Sequence, residues 1–260
     1  MRQLGLLILL SLSLLLISCK QDENTLRVGT IAGPETSLME VAKEVANNKY
    51  QLNIVIKTFS DFVIPNIALN DGSIDANVFQ HQPYLDATIK ARGYPLISIG
   101  KTFLYPMAIY SNRITNLTDL KDGALIAIPN DPSNEARALL LLQKAKLITL
   151  SKSADATVLD IKTNPKNLKF KTLTAPQLPR SLTDVDLAII NSNYAVVNNL
   201  SPSKDSLFIE DKTSPYANVI VVQEKDKNNP KLKLLVQALN SPEVLKKANE
   251  IFGDQGIPAW

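Results

Sequence analysis

The sequence predicts an α/β protein in which strands and helices alternate and the sheets are mostly parallel. Short apolar runs typical of buried strands recur along the chain, beginning with residues 26–32. Segments with helical spacing follow several of these runs, and the first places Leu38, Val41 and Val45 on one face. No internal repeat or low-complexity tract interrupts the alternation.

The first part of the chain is predicted to contain three strand–helix pairs. The strands are residues 26–32, 51–59 and 74–79, and the helices are residues 35–49, 61–72 and 83–93. Asp61 is placed to begin the second helix, with Pro65 in its first turn, and Gly72 and Gly93 end the second and third helices.

The clearest predicted helix covers residues 131–148. Asp131 can cap it and Pro132 occupies the first helical position. Six further strands are predicted at residues 94–100, 104–111, 124–130, 168–174, 185–191 and 218–224. Helical or turn segments are predicted at 176–182 and 192–199, and two closing helices at 230–240 and 241–253.

The N-terminus has the layout of an export signal. Arg2 precedes an apolar run shorter than the roughly 20 residues that a membrane-spanning helix needs. The run ends at Cys19, the sole cysteine of the 260 residues, so an internal disulfide cannot form. "LISC" at residues 16–19 resembles the lipobox of bacterial lipoproteins, which implies a lipid on Cys19. We therefore expect a signal peptide at 1–18 and a polar tether at 19–25.

Composition and motifs argue against several function classes. A formal net charge of +3 without a basic block does not indicate nucleic-acid binding. A single histidine and a single cysteine cannot supply a zinc site, and no phosphate loop, dinucleotide fingerprint or G-x-S-x-G turn occurs. We expect no metal, no cofactor and no enzymatic activity, although sequence alone leaves paired carboxylates open.

Two segments have the chemistry of a binding site. Phe79 and the lone histidine, His81, lie where a strand gives way to a helix, and Tyr84 follows. Ligands of open α/β sheets sit at such strand ends, and aromatic rings suit an apolar or thioether side chain. Phe79 could equally be core, whereas His81 favours a pocket. Arg137, early in its helix, could bind a carboxylate through two parallel hydrogen bonds or lie in solvent.

Seven segments together resemble the methionine-binding lipoproteins of the MetQ/NlpA family of bacterial ABC importers. The segments occur in order between residues 59 and 221, and the resemblance extends from Leu26 to Trp260; they read FSDFVIPNIAL, IDANVFQHQPYLD, FLYPMAIYS, IPNDPSNEARALLLLQKAKLI, NPKNLKF, APQLPRSL and DKTSPYANVIV. The resemblance implies a type II periplasmic-binding fold, with two α/β lobes joined by hinge strands. Its expected boundaries are 26–107 with 217–260 for lobe 1, and 108–216 for lobe 2.

The resemblance also implies a ligand and a set of contacts. The cargo is expected to be L-methionine, delivered to a permease with ATPase subunits from a lipid-anchored position facing the periplasm or cell exterior. The methionine side chain is expected against Phe62, Phe79, His81 and Tyr84, its carboxylate on Arg137, and its charged ends on Asn191 and Asn218, with Tyr105 a weaker addition. The family often has tyrosine at position 62, so the missing hydroxyl leaves pocket polarity there open.

Alternative functions remain open at this point. The cargo could be a methionine dipeptide, D-methionine or its sulfoxide, because pocket length cannot be measured from sequence. A surface adhesin or permease regulator of the same fold is a second class of function.

Overall fold

The computed structural model describes residues 24–260, so the expected signal peptide and Cys19 lie outside the described residues. The strands are β1 (Thr25–Ile31), β2 (Asn53–Phe59), β3 (Ala76–His81), β4 (Leu96–Lys101), β5 (Phe103–Leu104), β6 (Ala108–Tyr110), β7 (Leu125–Pro129), β8 (Thr149–Leu150), β9 (Ile161–Thr163), β10 (Lys169–Leu173), β11 (Leu187–Ile190), β12 (Phe208–Ile209), β13 (Asn218–Gln223) and β14 (Ile257–Pro258). The helices are α1 (Pro34–Tyr50), α2 (Ile64–Asn70), α3 (Gln82–Arg92), α4 (Pro132–Lys144), α5 (Leu178–Ser181), α6 (Ser192–Val197), α7 (Pro230–Leu239) and α8 (Pro242–Phe252).

Two five-stranded sheets organise these elements into two α/β lobes. The sheet of lobe 1 has the order β2-β1-β3-β13-β4, and the sheet of lobe 2 has the order β10-β7-β11-β6-β12. Two short pairs, β14 with β5 and β8 with β9, lie outside these sheets. The chain passes between the lobes twice, from β5 to β6 and from β12 back to β13. We call these two connections the crossover segments.

The α/β class is confirmed, but the expectation of mostly parallel sheets is wrong. In lobe 1, β1 pairs in parallel with β2 and β3, whereas β13 is antiparallel to both β3 and β4. Lobe 2 repeats this arrangement, since β7 is parallel to β10 and β11 while β6 is antiparallel to β11 and β12. The strand that follows each crossover segment, β6 in lobe 2 and β13 in lobe 1, runs opposite to the other strands of its five-stranded sheet, which a local sequence pattern does not reveal.

Local signals for the helix ends are confirmed. Asp131 accepts a hydrogen bond from the backbone N–H of Asn134 at 2.9 Å, and Pro132 begins α4. Gly93 ends α3 in the left-handed conformation, with φ of 67°. Helix α2 begins three residues later than predicted. The Asp61 carboxylate accepts hydrogen bonds from the backbone N–H groups of Val63, just before the helix, and of Ile64, its first residue.

Separate apolar cores stabilise the lobes, and a third cluster joins them. The core of lobe 1 packs α1, α7 and α8 on β1, β3 and β13, and the core of lobe 2 packs α4 on β7 and β11. The third cluster places Phe62 and Phe79 of lobe 1 against Tyr194 and Ile190 of lobe 2. The lobes are therefore closed on each other at the carboxyl ends of their strands. Within residues 24–260 no helix is long and apolar enough to cross a membrane.

Candidate functional site

A cavity with about 360 Å³ of unfilled space, counting its mouth, lies between the lobes. Its lining comes from both lobes and consists of Glu35, Phe62, Phe79, Gln80, His81, Tyr84, Tyr105, Asn134, Arg137, Asn191, Ser192, Asn193 and Asn218. All eight residues that the sequence analysis named for the site lie in this lining.

One wall of the cavity is aromatic. The Phe62 ring lies 5.8 Å from Phe79, 6.0 Å from Tyr84 and 5.1 Å from Tyr194, measured between centroids. The Tyr84 hydroxyl donates to the Phe62 carbonyl at 2.8 Å, and the Tyr194 hydroxyl donates to the Ser60 carbonyl at 3.1 Å. Because both hydroxyls already have acceptors in lobe 1, this wall presents mainly ring surface to a ligand.

His81 forms part of the wall and is held by the protein on both sides. It is the last residue of β3 and caps α3, where its Nδ1 accepts the backbone N–H of Tyr84 at 3.2 Å. Its Nε2 lies 3.3 Å from Oδ1 of Asn134 in lobe 2, so Nε2 carries the proton and donates. Burial, reinforced by the positive charge of Arg137, lowers the pKa of His81 to about 3. The imidazole is therefore neutral and links the two lobes.

Arg137 is buried, and two nitrogens of its guanidinium group already donate hydrogen bonds within the protein. Its Nε donates to Oε1 of Glu210 at 3.0 Å, and its Nη2 donates to Oε2 of the same carboxylate and to the Tyr105 carbonyl at 3.1 Å. The guanidinium carbon also lies 4.5 Å from the ring centroid of Tyr216. The two parallel hydrogen bonds expected for a ligand carboxylate are thus made to Glu210. Among residues 24–260 no hydrogen bond is formed by Nη1, the third nitrogen of the guanidinium group.

These contacts attach Arg137 to both crossover segments. Tyr105 lies on the first, Glu210 and Tyr216 on the second, and the Met107 N–H donates to Glu210 Oε2 at 3.1 Å. The surface alternative for Arg137 is excluded, because its side chain is only 4% exposed.

The polar side of the cavity contains side-chain atoms without hydrogen-bond partners in the described chain. They are Oε2 of Glu35, Oδ1 of Asn191 and Nδ2 of Asn193. Asn191 donates its Nδ2 to Asn134 Oδ1 at 2.9 Å, and Asn218 donates to the Phe79 carbonyl at 3.2 Å. Buried polar atoms normally have partners, so three orphans around one cavity indicate a polar ligand.

Glu35 is the acidic residue of this lining. It lies in the first turn of α1 and is 5% exposed. Burial raises its pKa to about 8, and the amides of Asn193 and Asn218 offset this only in part, the Asn193 amide acting from close by without a hydrogen bond of normal geometry. Asn218 Nδ2 lies 3.4 Å from Oε1, a long hydrogen bond.

The sequence analysis missed five lining residues: Glu35, Gln80, Asn134, Ser192 and Asn193. It also missed Glu210 as the partner of Arg137, since the two are 73 positions apart. Asn134 lies three residues before Arg137 in the same helix, and its position in the first turn of that helix was the available signal. Glu35 carried no comparable signal, because an acidic residue in the first turn of a helix is common on solvated surfaces.

Two α/β lobes joined by two crossover segments around a buried cavity define a type II periplasmic-binding fold. Solved structures share it: a periplasmic substrate-binding protein of an ABC transporter from Coxiella burnetii is 64% identical, with a TM-score of 0.89, covering 90% of this chain and 100% of that one. A nutrient-binding protein from Burkholderia cenocepacia, bound to methionine, is 49% identical with a TM-score of 0.89, covering 90% and 100%.

The family-level match covers nearly the whole described chain. The NlpA lipoprotein model matches residues 26–260. The D-methionine-binding lipoprotein MetQ of Salmonella typhi is 52% identical, over 95% of this chain and 94% of its own length. The chain belongs to the NlpA lipoprotein family, as the sequence motifs indicated.

Proposed function

We propose that this protein captures methionine between its lobes and delivers it to an ABC importer. One observation supports this above others: a closed cavity that has aromatic rings on one side and orphaned polar atoms on the other. A thioether chain makes favourable contacts with rings, and the charged end of an amino acid satisfies buried polar groups. The names of the MetQ relative and of the methionine-bound structure agree with this ligand.

In the proposed complex, the methionine side chain lies against Phe62, Phe79 and Tyr84. The carboxylate accepts from Nη1 of Arg137, whose other edge stays on Glu210. Asn191 and Asn218 bond to the charged ends, with Tyr105 and His81 completing the enclosure. No residue is assigned a catalytic role, and the protein acts by binding.

The proposed lobe boundaries follow the sheets. Residues 26–107 and 217–260 form lobe 1, and residues 108–216 form lobe 2. Ligand stabilises the closed state by whatever it binds more tightly there than in an open state. The His81–Asn134 and Tyr194–Ser60 hydrogen bonds across the cleft, together with the packing of Phe62 on Tyr194, are contacts that opening would break.

Calorimetry on protein freed of ligand by reversible unfolding and dialysis tests the proposal. Binding of L-methionine should give a measurable heat change and raise the melting temperature of the protein. Leucine, which is similar in size but has no sulfur, should bind more weakly. Parallel titrations with D-methionine and Gly-Met decide between the proposed L-methionine and its alternatives. A protein that takes up none of these ligands would contradict the carrier function and favour the adhesin or regulator class.

Anchoring through a lipid on Cys19 is also proposed, with the chain facing the periplasm or cell exterior. The support is the lipobox-like segment and membership of a lipoprotein family. A Cys19→Ser variant should lose the membrane fraction and the lipid mass measured on the intact protein. Its methionine affinity should be unchanged, because Cys19 precedes the described fold. Retention in membranes would contradict the anchor.

A further inference from the structure

We propose that Glu35 binds the ammonium group of the ligand as its counter-ion, a role that the family motifs did not assign. This inference rests on the proposed amino-acid ligand and deepens it. Its first support is geometric. Glu35 lines the cavity, and its buried Oε2 makes no hydrogen bond of normal geometry among residues 24–260, although the Asn193 amide lies close to the carboxylate. A buried carboxylate oxygen without a partner is costly, and an ammonium group supplies the N–H donors that it lacks.

The charge balance of the cavity gives a second support. In its lining, the basic residue is Arg137 and the acidic residue is Glu35. Glu210 neutralises Arg137 through two hydrogen bonds, whereas no ion pair involves Glu35 in the described part of the chain. With Glu35 ionised, the lining together with Glu210 therefore carries one uncompensated negative charge. A zwitterion that turns its ammonium to Glu35 supplies this carboxylate with the counter-charge it lacks, while the net charge of the cavity stays unchanged.

The surrounding groups favour the ammonium further. The other orphaned acceptor is Oδ1 of Asn191, which is neutral and can take a second N–H of the same group. Burial raises the pKa of Glu35, and an ammonium group bound beside the carboxylate is expected to lower that pKa again. Asn218, which donates to Oε1, holds the carboxylate in place. Glu35 thus selects for a free amino group beside the carboxylate.

The test compares methionine with 4-(methylsulfanyl)butanoate, the same molecule without its amino group. The wild-type protein should bind methionine at least about 100-fold more tightly, and Glu35→Gln should reduce that ratio to below about tenfold. Glutamine keeps the shape and one acceptor oxygen of glutamate but not its charge. Glu135→Gln is the matched control, because Glu135 also lies in the first turn of a helix and has a burial-raised pKa, yet does not line the cavity.

The outcomes separate this inference from the proposed function. A wild-type protein that does not bind methionine overturns the proposed function itself. Methionine binding with an unchanged ratio in Glu35→Gln overturns only the role of Glu35. Thermal unfolding of each variant shows whether it is folded, and a ratio of two ligands on one variant does not depend on the fraction of active protein. Loss of discrimination in Glu35→Gln but not in Glu135→Gln supports the pairing.

Discussion

The buried pair of Arg137 and Glu210 should behave as one energetic unit. The two side chains are 4% and 9% exposed and share two hydrogen bonds. Removing one partner of such a pair leaves an uncompensated buried charge, which typically costs about 3–5 kcal/mol. Arg137→Met and Glu210→Gln should therefore each lower the free energy of unfolding by about that amount. The double variant buries neither charge and should lose much less than the sum.

Urea unfolding of the ligand-free protein, followed by circular dichroism, measures this cycle. The expected coupling free energy is at least about 2 kcal/mol, well above the scatter seen for independent sites. Lys49 and Glu243 provide a control pair with a similar separation, 2.7 Å, whose side chains are about half exposed. That pair should show no measurable coupling, since water and salt screen it. Additive losses for Arg137 and Glu210 would refute the reasoning.

Three further predictions concern the cavity. Because the pKa of Glu35 is raised to about 8, the folded protein binds more protons than the unfolded chain between pH 4.5 and 8, so this residue lowers stability as pH rises. Glu35→Gln should raise the melting temperature of ligand-free protein by about 5 °C or more at pH 8.5 and by little near pH 5. An equal rise at both pH values would contradict a burial-raised pKa of Glu35. Tyr194→Phe removes the hydrogen bond to Ser60 across the cleft and should weaken methionine binding about two- to tenfold in calorimetry, while unchanged affinity would mean that this contact does not favour closure. Phe62→Leu should cost about two- to tenfold in methionine affinity and little in leucine affinity, and equal losses for both ligands would argue against a ring–sulfur contact.

Much of the fold was predictable because its signals are local. The cap at Asp131, the proline after it and the glycine that ends α3 each act within a few residues. The direction of β13 was not predictable in this way, because it depends on a connection that returns from the other lobe. The order of strands in a sheet is a long-range property, and apolar runs of either direction look alike.

The residues of the candidate site divide in the same way, into those with a local signal in the sequence and those that only the fold brings together. The cluster around His81 stood out because a polar ring follows a buried strand, and family motifs then supplied residues from other parts of the chain. The residues around Arg137 that fix its geometry were not visible, since Glu210 and Tyr216 approach it only in three dimensions. Glu35 was missed because burial, which no short pattern around it indicated, distinguishes it from an ordinary surface glutamate.

The placement of β13 has a consequence for how the chain matures. All strands of the lobe 2 sheet lie within residues 108–209, so that half can assemble as soon as this stretch is available. The lobe 1 sheet cannot close until β13 inserts between β3 and β4. A nascent chain that has not yet emerged past residue 217 therefore exposes two unpaired strand edges, where association with other chains begins. We infer that the lobe whose first strands are synthesised earliest is the one that completes its sheet last.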